Sequence, residues 1–133
     1  MQNRDACPCG TGKAYLDCCG AFISHQKKPA TPEELMRSRY TAYTQINIDY
    51  IADTMKSPAS DHFDKEATRA WAKTINWTGL KIIKTTHDAT SGIVEFCAYY
   101  SIDNNDNKKN NLHEVSEFRF ENEKWYYIDG THS

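Results

Sequence analysis

Nowhere in this 133-residue sequence are there about 18 consecutive apolar residues, so no segment is expected to cross a membrane as a helix. The opening Met-Gln-Asn-Arg-Asp is polar and offers no apolar signal segment, which points to the cytoplasm. Several catalytic signatures are also missing. There is no Ser-His-Asp order, no phosphate-cradling glycine loop, no pair of catalytic carboxylates and no dinucleotide fingerprint. Charge of one sign is scarce: Lys and Arg number 16, Asp and Glu 18, and the formal net charge is −2. That balance lacks the basic footprint of nonspecific nucleic-acid binding, and specific nucleic-acid binding is unsupported. No internal repeat occurs, and the length suits one ordinary domain plus a small appendage.

Cysteine is present and concentrated. Cys7, Cys9, Cys18 and Cys19 lie in Asp5-Ala-Cys-Pro-Cys-Gly-Thr-Gly-Lys-Ala-Tyr-Leu-Asp-Cys-Cys-Gly20. Two close pairs around a short loop can present four thiolates to one tetrahedral ion. Zinc is the expected ion, because soft sulfur ligands select it. A site filled by four protein ligands leaves no position for substrate, so it reads as structural. Two disulfides are the competing reading, but Cys97 makes the count odd, and each close pair would close a strained ring. A redox pair is the other, but it usually takes Cys-x-x-Cys at a helix start, which is not here. Gly10 and Gly12 can adopt positive φ and turn the chain back toward the sulfurs. Four thiolates holding one divalent ion add two further negative charges, which Lys13, Lys27 and Lys28 can partly offset. The sequence predicts that loss of the ion melts residues 1–20 and spares the rest.

The run Cys-Pro-Cys-Gly-Thr-Gly-Lys with Asp-Cys-Cys-Gly resembles the SEC-C motif, a zinc knuckle also found at the carboxyl end of the SecA translocation ATPase. Thr11 stands where that motif usually has Ser and keeps the hydroxyl. Leu35-Met-Arg-Ser-Arg-Tyr-Thr-Ala-Tyr43, Asp49-Tyr50 and Trp125-Tyr-Tyr-Ile-Asp-Gly-Thr131 are similar to stretches of the YchJ family. The resemblance implies a SEC-C knuckle at 1–22 followed by a nuclear-transport-factor-like, or cystatin-like, α+β cone at 23–133. It implies no established activity. Some members of that family carry a second SEC-C copy after the Asp-Gly-Thr ending; this sequence has no cysteine there.

The residues themselves also give an α+β order. Residues 21–30 read as a link. Thr31, Pro32 and Glu34 form the start of a helix with a capping box, and Met36, Tyr40 and Tyr43 share its face. Asn47 caps a second helix in which Ile48, Ile51, Ala52 and Met55 should be buried. A third helix is expected over 63–75, with Phe63, Ala67, Ala70, Trp71 and Ile75 inward. The period then changes to two, giving about four strands: Trp77 to His87, Ile93 to Ile102, Leu112 to Phe120 and Lys124 to Asp129. Val94, Phe96, Ala98, Tyr100 and Ile102 are expected on one face. Asp103 to Asn111 reads as a mobile polar loop. Three helices followed by a curved antiparallel sheet of consecutive strands leave a conical pocket.

Candidates to line that pocket are Arg39, Tyr40, His87, His113, Glu117 and Asp129, with Arg37 and Arg119 nearby in sequence. Arg39 is expected to pair with Glu117 or Asp129, because a guanidinium at a buried edge calls for a bidentate anion. Cys97 reads as a small packed hydrophobe. Two functions follow. In the first, the knuckle binds a protein or ribonucleoprotein partner, a chaperone or the ribosome by analogy with the motif. In the second, an isomerase- or dehydratase-like enzyme works in the cone, with His87, His113, Glu117 or Asp129 as its acid–base group.

Overall fold

The computed structural model describes residues 5–102 and 105–132. Four helices precede four strands: α1 (Cys19–Ile23), α2 (Pro32–Thr44), α3 (Ile48–Asp53), α4 (Lys65–Ala72), β1 (Ile75–His87), β2 (Ser91–Ile102), β3 (Asn105–Glu121) and β4 (Lys124–His132). Single 3₁₀ turns lie at Tyr15–Asp17 and Ala59–His62. The sheet is antiparallel with order β1-β2-β3-β4. Register slips at Trp77/Gly79, Ile82/Lys84 and Glu117/Phe118 bend its strands.

Local sequence sets the starts of the helices. Thr31 Oγ1 accepts from the Glu34 N–H at 3.1 Å, and Glu34 reaches back to the Ala30 N–H at 2.7 Å, one residue before the cap. Pro32 occupies the first turn of α2. Asn47 Oδ1 accepts from the Tyr50 N–H at 3.1 Å and caps α3. Thr31→Ala should lower unfolding stability by about 1 kcal/mol, read as a shifted denaturant midpoint with unchanged slope.

α2 lies across the sheet, touching β1, β2 and β4. Leu35, Met36 and Tyr40 meet Val94, Phe96, Ala98, Phe118 and Trp125 in one buried cluster. The backbone after α3 pairs with the edge of β4: Tyr127 N–H donates to Thr54 O, and Lys56 N–H to Tyr127 O, each at 2.9 Å. That contact covers an edge that would otherwise be open. The 121–124 hairpin has positive φ at both Asn122 (50°) and Glu123 (66°), the pairing that matches strand twist in a tight turn.

Several expectations change. The link contains a helix, α1. Asn105–Asn111 lies within β3 rather than in a loop: Asn111, Asn110 and Lys109 pair with Tyr99, Tyr100 and Ser101, and after a register slip Asn105 pairs with Ile102; Asp103 and Asn104 lie outside the described residues. Ladder pairing needs no apolar side chains, and a polar sequence suits the part of β3 that β4 does not cover. Val94, Phe96 and Ala98 share the buried face, but the alternation stops there: Tyr100 is half-buried, Ser101 is buried and Ile102 is 46% exposed. α4 is shorter than expected, and Ala67, Ala70 and Trp71 are exposed while Ala72 alone is buried. In α3, Ile48 and Ile51 are buried, joined by Tyr50, whereas Ala52 and Met55 are half-buried.

Candidate functional site

The four amino-terminal cysteines come together through a small hairpin. Cys7 N–H donates to Lys13 O and Tyr15 N–H to Asp5 O, each at 2.8 Å. Gly10 and Gly12, both at φ 86°, make the turn between them. α1 then carries Cys19 back beneath it. All four Sγ atoms lie within 4.8 Å of one another, and all four residues are buried. Cys9 Sγ and Cys18 Sγ stand 3.6 Å apart, far beyond a disulfide bond of about 2.05 Å, and all four thiols are free. A set of four such sulfurs fits a metal ion.

Their electrostatics fit one too. Hydrogen bonds from the Cys19 and Cys7 thiols hold Cys9 well below the usual thiol range. Cys19 is pushed up by Cys7 and Cys9 and then by burial, and burial is the main force raising Cys18. The cluster accommodates one negative charge at its neighbours' expense; four together call for a cation. Neighbouring hydroxyls orient the sulfurs. Thr11 Oγ1 lies 3.1 Å from Cys18 Sγ, and Thr41 Oγ1 lies 3.7 Å from Cys7 Sγ. Arg37 Nη1 donates to Cys9 O at 2.7 Å while its Nε pairs with Glu33 at 2.9 Å. Arg37 therefore brings a positive charge to this site that the sequence reading, which offered Lys13, Lys27 and Lys28, did not include; the spacing between residues 9 and 37 contains no signal for the contact.

On the other side of α2 lies a cavity of about 460 Å³. Met36, Tyr40, Phe96, Ala98 and Leu112 line its apolar wall, and Tyr43, Trp71 and Trp77 its aromatic wall. The Trp71 and Trp77 ring centroids stand 5.9 Å apart in an edge contact. Of the six expected residues, Arg39, Tyr40 and Asp129 line this cavity. The others do not. His87 and Glu117 belong to a second depression beyond the end of β1, where His87 packs edge-on against Trp125 at 5.7 Å. His113 lies on the sheet face away from the core, bonded to Glu95 at 2.7 Å, with Cys97 as its cross-strand neighbour. Among the described residues no histidine lines the cavity, so of the expected acid–base groups only Asp129 reaches it.

Arg39 also differs from expectation. It is 4% exposed and pairs with neither Glu117 nor Asp129. Nη1 donates to Ile51 O at 2.9 Å and to Thr54 Oγ1 at 2.7 Å, and the Tyr127 ring covers the guanidinium at 4.5 Å. The buried cavity carboxylate is Glu114, which accepts from the Ser116 hydroxyl and from Tyr127 OH at 3.2 Å. Burial lowers the Arg39 pKa, opposed by Tyr43, Tyr127, Tyr50 and, last, Glu114. Burial pushes Tyr40 and Tyr50 up to about 12 each.

A single-sheet α+β cone whose helices close one face, preceded by a four-cysteine knuckle, defines a nuclear-transport-factor-like protein bearing a SEC-C motif. Residues 31–130 match the family described as YchJ, middle NTF2-like domain, and residues 4–21 match the SEC-C motif; the chain belongs to the YchJ-like family. It is 42% identical to a UPF0225 protein of Geobacter sulfurreducens over 93% of this chain and 77% of that one. It is similar to the solution structure of a SEC-C motif containing protein from Rhodopseudomonas palustris, with TM-score 0.87 and 35% identity over 96% of this chain and 98% of that one. A SEC-C motif containing protein from Psychrobacter arcticus gives TM-score 0.83 and 29% identity over 98% and 84%. Among the described residues no helix is long and apolar enough to cross a membrane.

Proposed function

We propose that the chain holds one zinc ion through Cys7, Cys9, Cys18 and Cys19 and displays the resulting knuckle to a protein or ribonucleoprotein partner in the cytoplasm. The observation that carries this reading is the closed set of four buried sulfurs within 4.8 Å of one another. A tetrahedral zinc with Zn–S of about 2.3 Å has sulfurs about 3.8 Å apart, close to the Cys9–Cys18 separation of 3.6 Å. A reducing compartment keeps such thiols available as ligands. With the sulfurs turned inward, the outer surface of the knuckle carries exposed Lys13 and a 45% exposed Leu16. An exposed leucine on a knuckle that also carries an exposed lysine and the exposed Asp17 suits a partner with an apolar recess rimmed by polar and charged groups. By analogy with the SEC-C motif alone, the partner is a chaperone or the ribosome.

Protein prepared without chelator should contain about one equivalent of zinc. Metal-free protein with two disulfides overturns the reading. Lys13→Glu with Leu16→Asp should keep the zinc and lose a partner captured by the intact chain. Capture unaffected by those changes places recognition elsewhere.

A further inference from the structure

Arg37 and Arg119 each pair with a glutamate, at 2.9 and 3.2 Å. Arg39 is the most buried of the three and has no ion pair among the described residues. Both its hydrogen bonds leave from Nη1 and end on neutral oxygens, of Ile51 and Thr54. Among the described residues Nε and Nη2 find no hydrogen-bond partner, and the residue lines the cavity of about 460 Å³. That volume suits a small organic molecule. The two carboxylates nearby are already engaged. Glu114 accepts from Ser116 and Tyr127, and Asp129, exposed toward solvent, accepts from the Gly130 N–H at 2.9 Å. The cavity thus pairs a buried guanidinium, with donors to spare, with aromatic and aliphatic walls. A planar carboxylate matches that donor edge with two parallel hydrogen bonds, which an ammonium or a neutral group does not.

We propose that this cavity binds a small organic carboxylate with an apolar or aromatic body. Its carboxylate seats on the Nε/Nη2 edge of Arg39, and its body lies against Met36, Tyr43 and Trp71. This site is separate from the knuckle and does not depend on the identity of the metal.

The intact 133-residue chain, loaded with zinc, is titrated by NMR with phenylacetate, hexanoate and indole-3-acetate, and with phenethylamine as the oppositely charged comparison. At least one carboxylate should shift the signals of Ala98, Leu112 and the Trp71 indole saturably. It should bind roughly tenfold or more tightly than the amine, a difference of about 1.4 kcal/mol. Arg39→Lys keeps the charge and loses the fork, and should weaken that binding at least roughly tenfold. Trp71 is 46% exposed, so Trp71→Ala spares the core and should also weaken binding, which keeps the test decisive if Arg39→Lys fails to fold. Absence of saturable shifts with all three carboxylates overturns the proposal. So does an amine that binds as well, or binding that survives both substitutions.

Discussion

Stripping the metal from the intact chain, or replacing Cys18 and Cys19 by serine, should collapse tertiary structure well beyond residue 20. The four cysteines share one buried cluster with Leu35, Met36 and Tyr40 of α2, Val94, Phe96 and Ala98 of β2, and Trp125 of β4. Tyr15 and Ile23 pack against the same cluster from the knuckle side. Arg37 and Thr41 tie α2 directly to Cys9 and Cys7. Structural zinc sites supply about 10–16 kcal/mol of apparent binding free energy at neutral pH. A domain of this size has a total stability of about 5–15 kcal/mol. Loss of the proposed zinc therefore removes an amount comparable to the whole, at a surface the core uses. The near-UV dichroism of Trp77 and Trp125 should fall together with knuckle structure in one transition. Tryptophan signals that persist while only the first twenty residues become protease-sensitive would make the knuckle an independent appendage, as the sequence alone suggests.

Different kinds of sequence signal separate what could be read in advance from what could not. Thr31, Pro32, Glu34 and Asn47 declare helix starts because a cap is satisfied within three residues. Val94, Phe96 and Ala98 recur at period two and declare a strand, although Ile93, Cys97 and Tyr99 on its other face are apolar as well. The four cysteines declare their cluster through spacing. In β3 the pattern is silent: Leu112, Glu114, Ser116 and Phe118 alternate with His113, Val115, Glu117 and Arg119, and neither set is clearly the apolar one. Register then rests on the neighbouring strands, and it places Glu114 rather than Glu117 inside. Arg37 and Arg39 pose the same difficulty on α2. Two residues apart, they point to opposite sides of the helix. Only packing sends one to the knuckle and the other to the cavity.

Gly130→Val should destabilise the chain by roughly 2–6 kcal/mol, the sum of forced overpacking and a disturbed buried hydrogen bond. Asp129 and Gly130 both lie within β4, and Gly130, one residue past the expected end of that strand, sits opposite Ser116. Its φ is not positive, so backbone freedom does not explain the glycine. Closeness does. A Cβ built at residue 130 meets Glu114 Oε2 and Tyr127 OH, the two atoms that hydrogen-bond each other at 3.2 Å over that position. A side chain there must push Glu114 off the Ser116 hydroxyl or lift the Tyr127 ring from Arg39, where it stands 4.5 Å above the guanidinium. Either movement leaves a buried charge less well satisfied. Tyr127→Phe removes the hydroxyl that the new methyls would strike, so the double variant should lose less than the sum of the two single losses. Denaturant midpoints of the four proteins measure that coupling. A Gly130→Val chain with the parent's midpoint would show that Glu114 and Tyr127 yield at no cost, and that the glycine serves neither the cavity nor the fold.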